Sequence, residues 1–383
     1  MTVSRRQFLI SSGVALMMPY YRARAAQVPR VLRANTAKAQ LAPTKYPETS
    51  VWAFGETVPG TTLRIRQGET LSLRFQNDLP EGSSVHWHGI RIDNKMDGVP
   101  GLTQEIVPPK GGFDYKFVVP DAGTYWYHSH SGLQEQVGHY GPIIIDPKGV
   151  DPVKYDREYV LVLGDWIYSD PHKLFAKLKK NAESLNFNQS TISDTKGLKG
   201  MWGAMRMSPN DLADVTGETY TYVINGHSTA DNFNMVFNPG ERVRLRIINA
   251  AAMTLFNVRM PGLPMTVVGA DGLNVKPVET DEFQFGVAET YDVIVEPTTE
   301  SAYTIMAEAM DRSGFAAGTL ATQAGMQASV PPLRSRPLLT MVDMGMDMDM
   351  NMDMSGMGMS DTEPDGEMDS MDHGNMNHDA MNH

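Results

Sequence analysis

The chain has 383 residues, 41% of them hydrophobic and 20% charged, which is enough apolar mass for packed cores and excludes wholesale disorder. It contains no Cys, which excludes disulfides, zinc-thiolate sites, a catalytic thiol and any thiolate-ligated metal centre. The net charge of −12 is unevenly placed: residues 341–383 hold 9 Asp, 2 Glu and no Lys or Arg, so residues 1–340 are close to neutral and a nucleic-acid surface is not expected.

At the N-terminus, Ser4-Arg5-Arg6-Gln7-Phe8-Leu9 precedes a weakly apolar stretch and then Ala23-Arg24-Ala25. Paired arginines, a short apolar stretch and an A-x-A site read as an export signal over residues 1–25, not as an anchor. The longest apolar run falls short of 18 residues, so no membrane insertion is expected. The S-R-R-x-F-L pattern resembles the twin-arginine signal of bacteria, which implies export of the folded protein to the periplasm.

From 51 to 147, short runs of alternating apolar and polar residues are separated by Gly and Pro. Residues 63–66 and 71–75 have the period of two that half-buried strands require, and 115–119 and 143–145 are further strands. One helix is expected, around 172–185, rich in Lys and Leu. A faint repeat joins two regions. Gly68-Glu69, Leu73-Arg74 and Asn77 line up with Gly240-Glu241, Leu245-Arg246 and Asn249, each 172 residues further on. A repeat of that length is a duplicated domain, not a solenoid unit. The chain is therefore read as all-β: two β-sandwich domains at about 40–150 and 155–325, a linker at 326–340 around Pro331-Pro332, and a low-complexity tail at 341–383.

Four of the ten histidines form two H-x-H pairs, His86-Trp87-His88 and His128-Ser129-His130. Residues i and i+2 of a strand share a face about 6.5–7 Å apart, so two adjacent strands would aim four imidazoles into one space. Seven histidines lie in residues 1–340, for which chance yields about 0.15 such pairs, so two pairs mark a metal site. Imidazole suits copper, zinc, iron and nickel alike, so the pairs do not choose the metal. His139, His172 and His227 are isolated and are expected to be solvated or hydrogen-bonded.

Val85-His86-Trp87-His88-Gly89, Asp97-Gly98-Val99-Pro100 and the run from Gly123-Thr124-Tyr125-Trp126-Tyr127-His128-Ser129-His130 to Gly141-Pro142-Ile143 resemble the first cupredoxin domain of multicopper oxidases. In the second domain Pro239-Gly240-Glu241-Arg242 and Glu289-Thr290-Tyr291-Asp292 extend the likeness, and residues 45–325 resemble the bacterial copper-resistance branch. The resemblance implies two cupredoxin-like Greek-key sandwiches and copper as cofactor. It implies that His86 is a ligand of the type 2 copper, that His88, His128 and His130 are ligands of the type 3 pair, and that Asp97 is an acid beside the cluster that assists proton delivery. Asp97 reads equally well as a turn residue before Gly98. Trp87 and Trp126 are read as packing, and the second domain as a spacer without metal.

The family's other two H-x-H pairs and its type 1 Cys find no match here, so half the cluster and the electron-entry site are lacking, and a blue copper site needs the thiolate. The chain thus reads as two-thirds of an oxidase, expected to be inactive alone, with a separately encoded C-terminal cupredoxin domain as the partner this implies. The tail holds 13 of the 27 Met. Met348, Met350, Met352 and Met354 alternate with polar residues, Met357 and Met359 follow, and Met371/His373, Met376/His378 and Met381/His383 repeat every five residues. Thioether favours Cu(I), so these are candidate Cu(I) ligands on a segment too charged to fold, expected to be disordered. Three readings compete: a periplasmic copper oxidase, a copper-sequestering protein without turnover, and a copper-free cupredoxin scaffold, the last disfavoured by the intact pairs.

Overall fold

The computed structural model describes residues 31–181 and 220–335. The first sandwich comprises β1 (Val31–Ala39), β2 (Thr49–Phe54), β3 (Leu63–Arg66), β4 (Thr70–Asn77), β5 (His86–His88), β6 (Gly112–Val118), β7 (Gly123–His128) and β8 (Tyr140–Asp146). These form two four-stranded sheets, ordered β2-β1-β4-β6 and β3-β8-β7-β5. The expected strand pattern holds in β4, where Leu71, Leu73 and Phe75 point inward and the residues between them outward. The sheet also takes in β1, upstream of residue 40, which pairs parallel to β4.

The second sandwich comprises β9 (Arg157–Trp166), helix α1 (Pro171–Lys180), β10 (Thr221–Ile224), β11 (His227–Ser228), β12 (Phe233–Val236), β13 (Val243–Asn249), β14 (Phe256–Arg259), β15 (Met265–Ala270), β16 (Leu273–Thr280), β17 (Glu282–Phe285), β18 (Thr290–Val295), β19 (Ala302–Ala309) and β20 (Phe315–Ala321). Its sheets run β11-β10-β9-β13-β18-β15-β16 and β12-β20-β19-β14-β17. The single described α-helix is the one expected. Asp170 caps it, accepting from the His172 and Lys173 amides, and Pro171 opens its first turn.

The repeat is structural. Asn77 Oδ1 accepts from the Leu79 amide while its Nδ2 donates to the Glu81 and Val107 carbonyls. Asn249 Oδ1 accepts from the Ala251 amide while its Nδ2 donates to the Thr254, Phe285 and Gly286 carbonyls. In both domains one buried amide side chain satisfies the backbone where the strand ends. The glycines that open the two repeats, Gly68 and Gly240, both sit at positive φ, where a Cβ is disfavoured.

The sandwiches meet along β7, β8, β9 and β13, and there the alternating pattern fails. β13 is buried along its whole length, Arg244 and Arg246 included. Arg246 donates to Glu158, Asp292 and Thr124, and Arg64 of the first sandwich reaches Glu158 and Asp146. Thr124 of β7 donates to Asp292 at 2.6 Å, and Thr290 donates back to the Thr124 carbonyl at 3.0 Å. Buried charges cost heavily unless paired: Arg244 pairs with Asp151 and Asp292, Arg246 with Glu158 and Asp292, and Glu158 with Arg64 across the seam.

The expected linker is partly a strap. The Asn232 and Asn234 side chains hold the Met326 carbonyl, Thr304 holds that of Ser329, and Arg334 pairs with Glu308 and Glu282. Glu308 is fully buried and needs these cations, which is why the chain stays against the sandwich as far as residue 334. The expected export signal over 1–25 and the expected disordered tail over 341–383 lie outside the described residues.

His139 departs from expectation. It is 0% exposed, and neither ring nitrogen has a partner among the described residues. Its backbone is fixed by two hydrogen bonds, Ser129 N–H to His139 O and His139 N–H to Gln134 O, and its ring stacks on Phe54 with centroids 3.7 Å apart. The imidazole serves as a flat apolar filler. Burial, aided slightly by the nearby His128, pushes its pKa down to about 3. The folded state therefore carries fewer protons than the unfolded state between the ordinary histidine value and that figure. Stability held at neutral pH is lost as pH falls through that window, at about 1.4 kcal/mol per pH unit. His139→Leu should remove this residue's share of the slope, measured by urea unfolding from pH 6.5 down to 4; an unchanged slope would contradict the assignment.

Candidate metal centre

Strands β5 and β7 pair antiparallel with His86 opposite His128, Trp87 opposite Tyr127 and His88 opposite Trp126. Because side chains alternate, His86, His88 and His128 share the face away from the core, while Trp87 packs inward against Tyr115 and Phe117. His130, two residues past His128, closes the group. Ring centroids lie 5.5 Å apart for His86–His88, 5.3 Å for His86–His128, 5.4 Å for His86–His130 and 5.9 Å for His128–His130. One nitrogen from each of His86, His88 and His128 falls within 4.8 Å of the others. His128 is buried, His86 and His88 half-buried, and His130 exposed.

The rings are aimed from behind. His86 Nδ1 donates to the Asp97 carbonyl at 2.7 Å, with the Asp97 carboxylate 3.4 Å away. That carbonyl is in place because Gly98, at φ 82, presses on the strand: a Cβ there would lie 1.7 Å from the Val85 carbonyl oxygen, so only glycine fits. His128 Nδ1 is 3.0 Å from both the Ser129 carbonyl and Glu135 Oε2, and its Nε2 faces His88 Nδ1 at 3.4 Å. Trp126 stacks on His128 at 4.3 Å and on His88 at 5.0 Å, and its Nε1 donates to the Ala288 carbonyl of the second sandwich. Burial lowers the pKa of both His86 and His88, and the other imidazoles add to it, taking His88 to about 4. These two rings are neutral at physiological pH, the state in which imidazole donates a lone pair to a metal.

The structure thus brings His86, His88, His128 and His130 together, with Asp97 behind His86 through its backbone more closely than through its carboxylate. His172 and His227 are exposed. Met348, Met350, Met352, Met354, Met357, Met359, Met371, His373, Met376, His378, Met381 and His383 lie outside the described residues. Sequence reasoning missed Gln134 and Glu135. Gln134 accepts from Ser83 and Ser129 and donates to Glu81 and the Gly82 carbonyl, lacing the loop after β7 to the loop before β5. The polar triplet Gln134-Glu135-Gln136 directly after an H-x-H pair was the available signal. Four converging imidazoles, His86 and His128 with orienting acceptors behind them, form a donor set that fits copper.

Two multicopper oxidase family models match the chain, over residues 35–149 and 157–327, dividing it where the two sandwiches divide. Copper resistance protein A of Escherichia coli is 52% identical over 329 residues, 82% of this chain and 54% of that protein. The copper resistance protein A homolog of Pseudomonas syringae pv. tomato is 51% identical over 335 residues, 84% of this chain and 53% of the homolog. The chain spans about half the length of these curated relatives. Among solved structures, Lac15 from a marine microbial metagenome is 31% identical with a TM-score of 0.57, covering 82% of this chain and 72% of that one. The laccase from Botrytis aclada is 26% identical with a TM-score of 0.63, covering 83% and 57%. The expected pair of cupredoxin-like sandwiches is the observed fold, and with the matches in both halves it follows that the chain belongs to the multicopper oxidase family, in its copper-resistance branch.

Proposed function

We propose that this chain binds copper through His86, His88, His128 and His130 as part of a periplasmic copper-resistance oxidase that couples oxidation of Cu(I) or an organic reductant to reduction of dioxygen. The observation that carries the proposal is the convergence of four imidazoles, with a nitrogen each of His86, His88 and His128 facing one space and acceptors behind His86 and His128. In the family's terms His86 serves the type 2 position, and His88, His128 and His130 the type 3 positions. Copper held by these residues would supply one-electron redox chemistry. The chain's own residues hold and orient. The Asp97 carbonyl and the Ser129 carbonyl keep hydrogen on the Nδ1 atoms of His86 and His128, and the Asp97 carboxylate, 31% exposed, is placed to pass a proton between solvent and the pocket. Export by the twin-arginine route, and a separately encoded cupredoxin domain supplying the other four imidazoles and the thiolate, complete the proposal.

A second reading, copper sequestration without turnover, is favoured by two compositional facts: the chain has no Cys, and 13 of its 27 Met lie in residues 341–383. In this reading the half-site histidines hold copper, and Met348, Met350, Met352, Met354, Met357, Met359, Met371, His373, Met376, His378, Met381 and His383 capture Cu(I), thioether being a soft ligand.

Binding, absorption and oxygen-uptake measurements test these readings. Equilibrium dialysis with Cu(II) should show that His86→Ala and His128→Ala each weaken copper retention at least about tenfold; retention equal to wild type in both variants would remove the histidine site. Deleting residues 341–383 should remove most Cu(I) capacity in titration against a Cu(I) chelator while leaving the circular dichroism of the sandwiches unchanged; undiminished capacity would leave the tail without a copper role. The copper-loaded chain should show no intense thiolate-to-copper band near roughly 600 nm and no oxygen uptake with Cu(I) beyond that of free metal. A blue protein, or turnover by the chain alone, would contradict the dependence on a second polypeptide.

A further inference from the structure

We infer that Glu135 is a positioning residue for His128, fixing the tautomer of its ring and biasing the copper it holds toward Cu(II). The inference rests on the copper reading above and extends it to a residue outside the ligand set.

His128 Nδ1 lies 3.0 Å from Glu135 Oε2 and 3.0 Å from the Ser129 carbonyl. Both partners are acceptors, so the proton must sit on Nδ1, and the lone pair is left on Nε2, the nitrogen that faces His88 across 3.4 Å. The Ser129 carbonyl alone would set this tautomer. The carboxylate places a negative charge beside Nδ1 of the ring, which favours the more highly charged metal on the opposite nitrogen. The side chains of Glu135 and His128 are 26% and 9% exposed, so water screens this charge only in part.

Glu135 is delivered to the ring by a fixed turn. Gln134, pinned by Ser83, Ser129, Glu81 and Gly82, precedes it, and Gly138 at φ 105 closes the turn by donating its amide to the Glu135 carbonyl. The arrangement is also selective. Among the described residues, the two rings that face each other in register, His86 and His128, each have a carboxylate behind Nδ1, from Asp97 and Glu135, whereas His88 and His130 have none. A carboxylate placed only for solubility would have no reason to meet the one nitrogen that does not face the pocket.

The test compares the full chain with Glu135→Gln, which keeps size and an acceptor but not the charge, and Glu135→Leu, which keeps neither. His128→Ala marks copper bound elsewhere. In competition against a chelator, Cu(II) affinity should fall about tenfold in E135Q and further in E135L. Cu(I) affinity should fall less, and the thermal midpoint of metal-free E135Q should match wild type. Nitrogen-15 NMR of the metal-free chain should show His128 as the Nδ1–H tautomer, with that proton's shift moving upfield in E135L. Cu(II) affinity within twofold of wild type in both Glu135 variants, while H128A loses binding, would overturn the inference. So would an Nε2–H tautomer in wild type. If H128A itself binds copper like wild type, the copper reading fails, and the NMR comparison alone decides whether Glu135 holds the ring.

Discussion

The register of β5 against β7 is the constraint on which the site depends. With His86 opposite His128, the rings share one face and Trp87 and Tyr127 fill the core on the other. A slip of one residue would bury the imidazoles and expose the aromatics, so the core enforces the register that the site needs. Gly98 tightens it further by admitting the Asp97 carbonyl to the back of His86.

β7 is in turn set by the second sandwich, although no histidine of that domain joins the site. Thr124 is hydrogen-bonded to Asp292 and Thr290, Trp126 to Ala288, and the Tyr125 ring lies where a Cβ on Gly272 would be, only 2.2 Å from it. The chain of Arg64, Glu158, Arg246 and Asp292 runs through the same seam. Removing one member would leave its partner buried and uncompensated, so the domains are locked in one relation more by what separation would cost than by what the pairs contribute. The second domain is thus a structural support for a strand it does not contain.

Much of this was legible in the sequence because its signals are local. The period of two in 71–75 gave β4, the i, i+2 spacing of the histidines gave a shared face, and Asn77 and Asn249 gave the repeat that the hydrogen bonds confirm. What was not legible depends on long-range contact. Arg244 and Arg246 look like the outward residues of an alternating strand, and only the partner sandwich makes them buried. His139 looks like a surface or hydrogen-bonded histidine until Phe54, distant in sequence, is placed against it. Glu135 is one charge in a polar loop until the turn carries it to His128. Residues 326–334 have the composition of a linker, and a buried Glu308 holds them to the sandwich.

The central claim is that one metal-binding space lies among His86, His88, His128 and His130. Crystals of the copper-loaded chain, with diffraction collected on either side of the copper absorption edge, test it most directly. The account predicts anomalous copper signal within the space bounded by these four rings, in contact with Nε2 of His86, of His128, or of each through separate ions. Copper peaks confined to other parts of the molecule, with the four rings hydrogen-bonded only to water and to one another, would contradict it.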